Sequence, residues 1–112
     1  MTYDMQATKE AWEVDMEYFS AIADQNRFTT RWSIYEEGIC VADASPYSAG
    51  TIIRNRCKVW GYDTQTTVEG NGSWMDVWAA CERVITEADD HHVYIEGFEQ
   101  LADGTINVVT GS

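Results

Sequence analysis

The chain has 112 residues, 45% of them hydrophobic, which is typical of a single globular domain spanning residues 1–112. Nineteen acidic residues against seven basic residues give a formal net charge of −12, which disfavours direct binding to nucleic acid or to an anionic membrane. The sequence lacks both an apolar run of the roughly 18 residues that a membrane span needs and a signal-peptide pattern, so we expect a cytoplasmic protein.

The first predicted element is a helix that begins at a Thr8 cap and ends near Gln25. Apolar residues at helical spacing predict its inner face: Trp12, Met16, Phe19 and Ala23. The opposite face carries four carboxylates, which we call the acidic ladder: Glu10, Glu13, Glu17 and Asp24. A solvated outer face explains such a ladder, and the functional alternative is a row of carboxylates presented to a basic partner.

Alternation of apolar and polar residues then predicts four strands, at 27–36, 39–42, 51–60 and 64–69. The segment 43–50 contains the only proline and is predicted to be the longest loop.

The third predicted strand carries the only basic cluster of the chain, a basic strip formed by Arg54, Arg56 and Lys58 beside Trp60. Alternate positions place these side chains on one face of a strand. A basic strip beside an aromatic residue can bind an anion such as phosphate. The simpler interpretation is that it pairs with carboxylates of this chain, or with the acidic ladder of a second copy in a homodimer.

A second helix is predicted after the breaker Gly70-Asn71-Gly72, with Ser73 as its cap and Asp76 completing a capping-box pattern. One face of this helix is apolar: Trp74, Val77, Trp78, Cys81, Val84, Ile85 and Ala88. It ends at Asp89-Asp90. A hairpin follows, with Asp103-Gly104 as its turn and a bulge at Gly97.

Three motifs contain residue types that can carry chemistry. Asp89-Asp90-His91-His92 offers metal ligands, but adjacent residues rarely converge on one ion, so we predict a structural junction and no metal. Gly70–Ser73 at a helix N-terminus is a possible anion site that turn and cap formation explain fully. The odd, widely spaced Cys40, Cys57 and Cys81 indicate reduced, buried thiols. No catalytic pattern is recognised, so neither enzymatic activity nor a cofactor is predicted.

These elements predict an α+β domain in which two helices pack on an antiparallel sheet of five or six strands, in the order α-β-β-β-β-α-β-β. The predicted core is the following set: Trp12, Met16, Phe19, Trp32, Ile34, Trp74, Trp78, Cys81, Ile85, Val93, Ile95 and Ile106.

The favoured function is a small acidic inhibitor that binds a basic surface, in particular that of a nucleic-acid-handling protein, by mimicking nucleic acid. Phage-encoded antagonists of host restriction or CRISPR proteins are often of this size and charge. The expected contacts are the acidic ladder and the end of the second helix, namely Glu87, Asp89 and Asp90. The alternative is a non-catalytic assembly module that uses exposed aromatic residues such as Trp60 or Tyr62, and a small ligand-binding domain or enzyme is the third hypothesis.

Overall fold

The structure, a computed structural model, describes residues 5–34 and 40–111, and side chains from residue 16 onward within those ranges. The described residues form two helices and five strands: α1 (Met5–Asn26), β1 (Arg31–Trp32), β2 (Ile52–Cys57), β3 (Tyr62–Thr67), α2 (Trp74–Glu87), β4 (Tyr94–Gln100) and β5 (Ile106–Gly111). The predicted α+β class is confirmed. Neither helix in this part of the chain combines the length and the apolar character needed to cross a membrane.

The sheet is mixed, so the prediction of a purely antiparallel sheet is wrong. The strand order is β1-β4-β5-β2-β3, with β1 parallel to β4 and β2 parallel to β5. Among the strands of the described residues, the hairpins β2–β3 and β4–β5 are the antiparallel pairs. The reason is that α2 connects the two hairpins, and a helical crossover lets a later strand return parallel to an earlier one.

Within the described residues 27–34, the first predicted strand is much shorter than expected; residues 35 and 36 of its predicted range lie outside the described residues. Arg27 has a φ of 56° and ends α1 with a left-handed residue, and regular pairing begins only at Arg31, opposite Tyr94 of β4. Pairing then covers only Arg31 and Trp32, with one further backbone bond from Ser33 to the carbonyl of Ile95.

The predicted second strand at 39–42 is absent from its described part, because residues 41–43 serve α2 instead. The carbonyl of Val41 accepts from the N–H of Met75 at 2.8 Å, and that of Asp43 accepts from Trp74 at 3.0 Å. These are first-turn N–H groups that have no partner within the helix. Position 39 and the predicted turn 36–38 lie outside the described residues.

The strongest local signals of the sequence are confirmed in α2 and the hairpin that follows it. Ser73 caps α2, and its side chain and that of Asp76 form the complete capping box. In the hairpin, Ile95 pairs with Thr110 while Gly97 pairs with Val109, so Glu96 is the extra residue of the predicted bulge.

An aromatic cluster forms much of the core. Phe19 of α1, Trp32 of β1 and Trp78 of α2 are each at most 3% exposed, and their ring centroids lie 5.6–6.2 Å apart. Most of the predicted core is buried or packed against it, but Met16 is 37% exposed. The side chain of Trp12 lies outside the described set.

A buried polar chain joins α2 to the segment between α1 and β1. The indole N–H of Trp78 donates to Thr30 Oγ1 at 2.9 Å, and Thr30 in turn donates from both its hydroxyl and its backbone N–H to Glu82 Oε1. Thr29 donates to the second carboxylate oxygen, Oε2, at 2.7 Å. Trp78 and Thr30 are both fully buried, so water cannot reach the indole N–H. Among the described residues, Thr30 is its acceptor.

We expect Thr30→Val to lower the free energy of unfolding by about 1–3 kcal/mol, because the Trp78 N–H is then buried without a partner. Thr29→Val removes an exposed hydrogen bond to the same carboxylate and should cost less than about 1 kcal/mol. Chemical denaturation of both variants is the measurement, and equal losses would contradict the assignment of Thr30 as the buried acceptor.

Candidate functional site

The acidic ladder lies along α1, and its two described side chains are exposed. Glu17 makes no ion pair with a described residue, whereas Asp24 pairs with Arg31 at 3.3 Å and remains 73% exposed. The helical backbone runs without a break from Met5 to Asn26, so positions 10, 13, 17 and 24 lie on one side of it. The side chains of Glu10 and Glu13 lie outside the described set.

The second predicted group of carboxylates, at the end of α2, divides into two environments. Glu87 and Asp89 are exposed. Asp90 is only 8% exposed, so its carboxylate cannot be presented to a partner as the sequence suggested. Asp89 is exposed and its neighbour Asp90 is buried because of the way α2 ends.

Asp90 is the centre of a buried hydrogen-bond network that joins three parts of the chain. Its Oδ1 accepts from the backbone N–H of His92 and contacts His92 Nδ1, each at 2.9 Å, and its Oδ2 accepts from Asn55 Nδ2 of β2 at 3.1 Å. Tyr62 of β3 also lies close enough to lower the pKa of this carboxylate. Burial alone would raise the pKa of Asp90, but these hydrogen bonds together hold it below its ordinary value.

The pKa of Tyr62 is shifted in the opposite direction to that of Asp90. Its pKa is raised by burial, then by its hydrogen bond to the Asp90 carboxylate and by the negative charge of that group. The phenol therefore keeps its proton beside the Asp90 carboxylate. The result is an ionised carboxylate that is surrounded by donors beneath the surface.

Both helices end in the same hydrogen-bond pattern with a non-glycine residue in the left-handed position. In α2 the N–H of Asp90 bonds to the carbonyl of Ile85 and that of Asp89 to Thr86, which is a Schellman motif with Asp89 at φ 54°. In α1 the left-handed position is held by Arg27, at φ 56°. A cation there complements the negative end of a helix, whereas the Asp89 carboxylate opposes it.

A small pocket lies beside the end of α2, and we call it the Trp60 pocket. It has a volume of about 160 Å³ and is lined by Trp60, Tyr62, Ala88, Asp89, Asp90 and His91. The Trp60 indole is 63% exposed and meets the His91 ring edge to face, with centroids 5.9 Å apart. The pocket thus has an aromatic wall next to an exposed carboxylate.

A larger crevice of about 300 Å³ opens where β2 and β5 separate. These parallel strands pair only at Ile53 with Ile106 and at Arg54 with Asn107, after which the side chain of Asn107 accepts from the N–H of Arg56 at 2.9 Å. Arg56, His92 and Glu99 are among the lining side chains, together with Trp60 and Tyr62. Mixed charges in one open crevice do not select a ligand of one sign.

The predicted basic strip is not continuous. Arg54 bonds to Asp63 and, at 2.9 Å, to Asp103, so carboxylates of this chain neutralise it. β2 ends at Cys57, and its four-residue connection to β3 carries Lys58 and Trp60 out of the strand. This arrangement leaves Arg56 exposed on the strand by itself, which weakens both the anion-contact and the homodimer hypotheses.

The remaining motifs have structural explanations. Asp90, His91 and His92 can place one ligand atom each within 4.8 Å of one another, but a metal would have to compete with the donors that already occupy both oxygens of Asp90. At the N-terminus of α2, Val41, Asp43 and Ser73 accept the first-turn N–H groups. The cysteines differ in burial, since Cys81 is buried, Cys57 half-buried and Cys40 exposed, so the prediction of buried thiols fails for Cys40.

Asn55 belongs to this site, although none of the sequence motifs above includes it. The signal was present, because Asn55 follows Ile53 at the alternate, inward-facing position of a strand, where a polar side chain needs a buried partner. Tyr62 is predicted to be exposed but is half-buried against Asp90.

No protein-family model, curated protein or solved structure matches this chain.

We expect Asp89→Gly to raise the free energy of unfolding by about 1 kcal/mol, because glycine adopts the left-handed conformation without strain and the substitution removes a carboxylate from the negative end of α2. For a domain of this size the melting temperature should rise by about 4 °C. Arg27→Gly is the matched control, since it relieves the same strain but removes a favourable charge. A gain for Arg27→Gly as large as that for Asp89→Gly would contradict the electrostatic part of this account.

We expect Asp90→Asn to destabilise the protein by about 1–3 kcal/mol at neutral pH, with the deficit shrinking as the pH falls below about 4. The pKa of Asp90 is lowered in the folded state, so the unfolded chain binds the proton more readily and the wild type loses this stabilisation in acid. Urea unfolding between about pH 6 and pH 2.5 measures the difference. Asp43→Asn, at an exposed carboxylate, should have the same stability as the wild type at each pH. A stability deficit for Asp90→Asn that does not change with pH would refute the role of the ionised Asp90 carboxylate.

Proposed function

We propose that this protein is a small acidic inhibitor that binds a basic surface of another protein, in particular the nucleic-acid-binding surface of a nucleic-acid-handling protein. The observation that supports it is the excess of uncompensated carboxylates. Among the described side chains, seven exposed acids make no ion pair with a described base: Glu17, Asp43, Glu69, Glu87, Asp89, Glu96 and Glu99.

The few ion pairs in the described part of the chain involve other carboxylates, and one of these, Asp24, belongs to the acidic ladder. Arg54 neutralises Asp63 and Asp103, and Arg31 pairs with Asp24. The remaining negative charge faces solvent, where it repels polyanions and accelerates association with a positively charged protein surface. A basic surface that normally holds phosphates is a complementary target.

The acidic ladder is the part of this surface that best suits mimicry of nucleic acid. Positions 10 to 24 of α1 span about 21 Å along the helix axis at 1.5 Å per residue. Four carboxylates in a row over that length offer a series of negative charges, as a phosphate backbone does. Like charges on one helix face cost some stability, so a binding role gives a reason for their presence.

The test is to reverse the four ladder charges, with lysine at positions 10, 13, 17 and 24, and to capture partners from a bacterial lysate at low and at high salt. The wild type should retain a nucleic-acid-handling protein at low salt and release it at high salt, because screening weakens charge-mediated association. The reversed variant should lose that partner while its melting temperature does not fall.

The matched control reverses four other exposed carboxylates by the same total charge: Asp43, Glu69, Glu96 and Glu99. Retention of the partner by this control assigns the contact to the ladder. Equal binding by the ladder variant and the wild type would refute the proposal.

The second candidate is a non-catalytic assembly module, and one observation favours it. Val59 and Trp60, at the tip of the β2–β3 hairpin, are 88% and 63% exposed. Exposed aromatic anchors of this kind often dominate the energy of a protein interface. A partner that persists at high salt and is lost on Trp60→Ser would favour this second function over the first.

A further inference from the structure

We propose that the Trp60 pocket binds a single arginine side chain of the partner protein. The inference rests on the proposed function, because it assumes a basic partner surface, and it names the place on this chain that receives one basic side chain. Three features support it: the shape of the pocket, its local electrostatics and the presence of Asp89 at the end of α2.

The shape suits one long side chain. The pocket of about 160 Å³ is smaller than the roughly 300–1,000 Å³ that a drug-sized ligand needs. One wall is the exposed Trp60 indole, and the contact with His91, at 5.9 Å between ring centroids, supports that ring from one side. A planar guanidinium group stacks on an indole face and gains a cation–π attraction that a neutral group lacks.

The electrostatics select a cation. The pocket lies at the carboxyl end of α2, where the helix dipole is negative, and the last turn of α2 contains no basic residue. Asp89 lines the pocket with an exposed carboxylate, and beneath it Asp90 is held ionised by its hydrogen bonds. An arginine could pair with Asp89 and stack on Trp60 at the same time.

The identity of residue 89 supports a binding role. A left-handed position at a helix end favours glycine, and a carboxylate there opposes the helix dipole, so Asp89 is unfavourable for stability on two counts. The corresponding position of α1 holds Arg27, whose charge suits a helix end. A cationic ligand would offset the repulsion at Asp89 and gives a reason for this residue at the mouth of the pocket.

The experiment is a nuclear magnetic resonance titration of ¹⁵N-labelled protein with N-acetyl-arginine methylamide. N-acetyl-citrulline methylamide is the comparison ligand, since it has nearly the same shape without the charge. The arginine derivative should shift the indole N–H of Trp60 and the backbone amides of Ala88 and Asp89 in a saturable way. The citrulline derivative should bind at least tenfold more weakly.

Variants separate the pocket from the general charge of the surface. Asp89→Asn keeps a residue that tolerates the left-handed conformation and should weaken arginine binding at least fivefold. Asp43→Asn removes one exposed charge away from the pocket and should leave the affinity unchanged. Trp60→Leu should abolish saturable binding. Equal shifts with both ligands, or equal weakening by Asp89→Asn and Asp43→Asn, would overturn the inference.

This test is independent of the partner capture, because a free arginine derivative needs no partner protein. Saturable arginine binding without a salt-sensitive partner would support the pocket and count against the inhibitor function. A partner that is lost on ladder reversal but kept by Asp89→Asn, with no arginine binding, would retain the inhibitor function and refute the pocket.

Discussion

The hydrogen bond from the Trp78 indole to Thr30 holds α2 against the segment that follows α1. The position of α2 in turn determines which segments contact its two ends. Trp78 is completely buried between α1, β1 and the sheet, so its polar atom needs a protein partner. Thr30 supplies that partner because Glu82, one turn further along α2, holds its hydroxyl in place. Once α2 is seated in this way, its first turn is closed by the segment 41–43, and its last turn meets the β2–β3 hairpin.

The part of the fold that depends on local signals could be predicted from the sequence. The capping box of α2, its apolar face, the Asp103-Gly104 turn and the bulge next to Gly97 each arise within a few residues of one another. The parallel pairing of β2 with β5 could not be predicted, because nothing in the sequence of either strand specifies which strand of the other hairpin it will pair with. Likewise, the segment 41–43 has the composition of a strand but satisfies N–H groups that lie more than thirty residues away in sequence.

The same distinction applies to the site. Composition establishes the negative charge, but burial decides which carboxylates remain available, and a left-handed residue at the end of α2 sends the neighbours Asp89 and Asp90 in opposite directions. The sequence predicts Trp60 on a strand beside three cations. The strand ends three residues earlier, and the hairpin connection instead places the indole against the acidic end of α2. Contacts of this kind come from tertiary packing, for which alternation along the chain gives no information.

The order of the strands also has a consequence for how the protein is made. β5 occupies the middle of the sheet, yet it is the last described element in the chain. During synthesis the β2–β3 hairpin is made before β5, and an isolated two-stranded hairpin is barely stable in water. The inner edge of β2 is then open to pairing with other chains. Arg56, whose side chain is exposed on that strand, places a positive charge beside the open edge, which hinders aggregation until β5 arrives and the sheet closes.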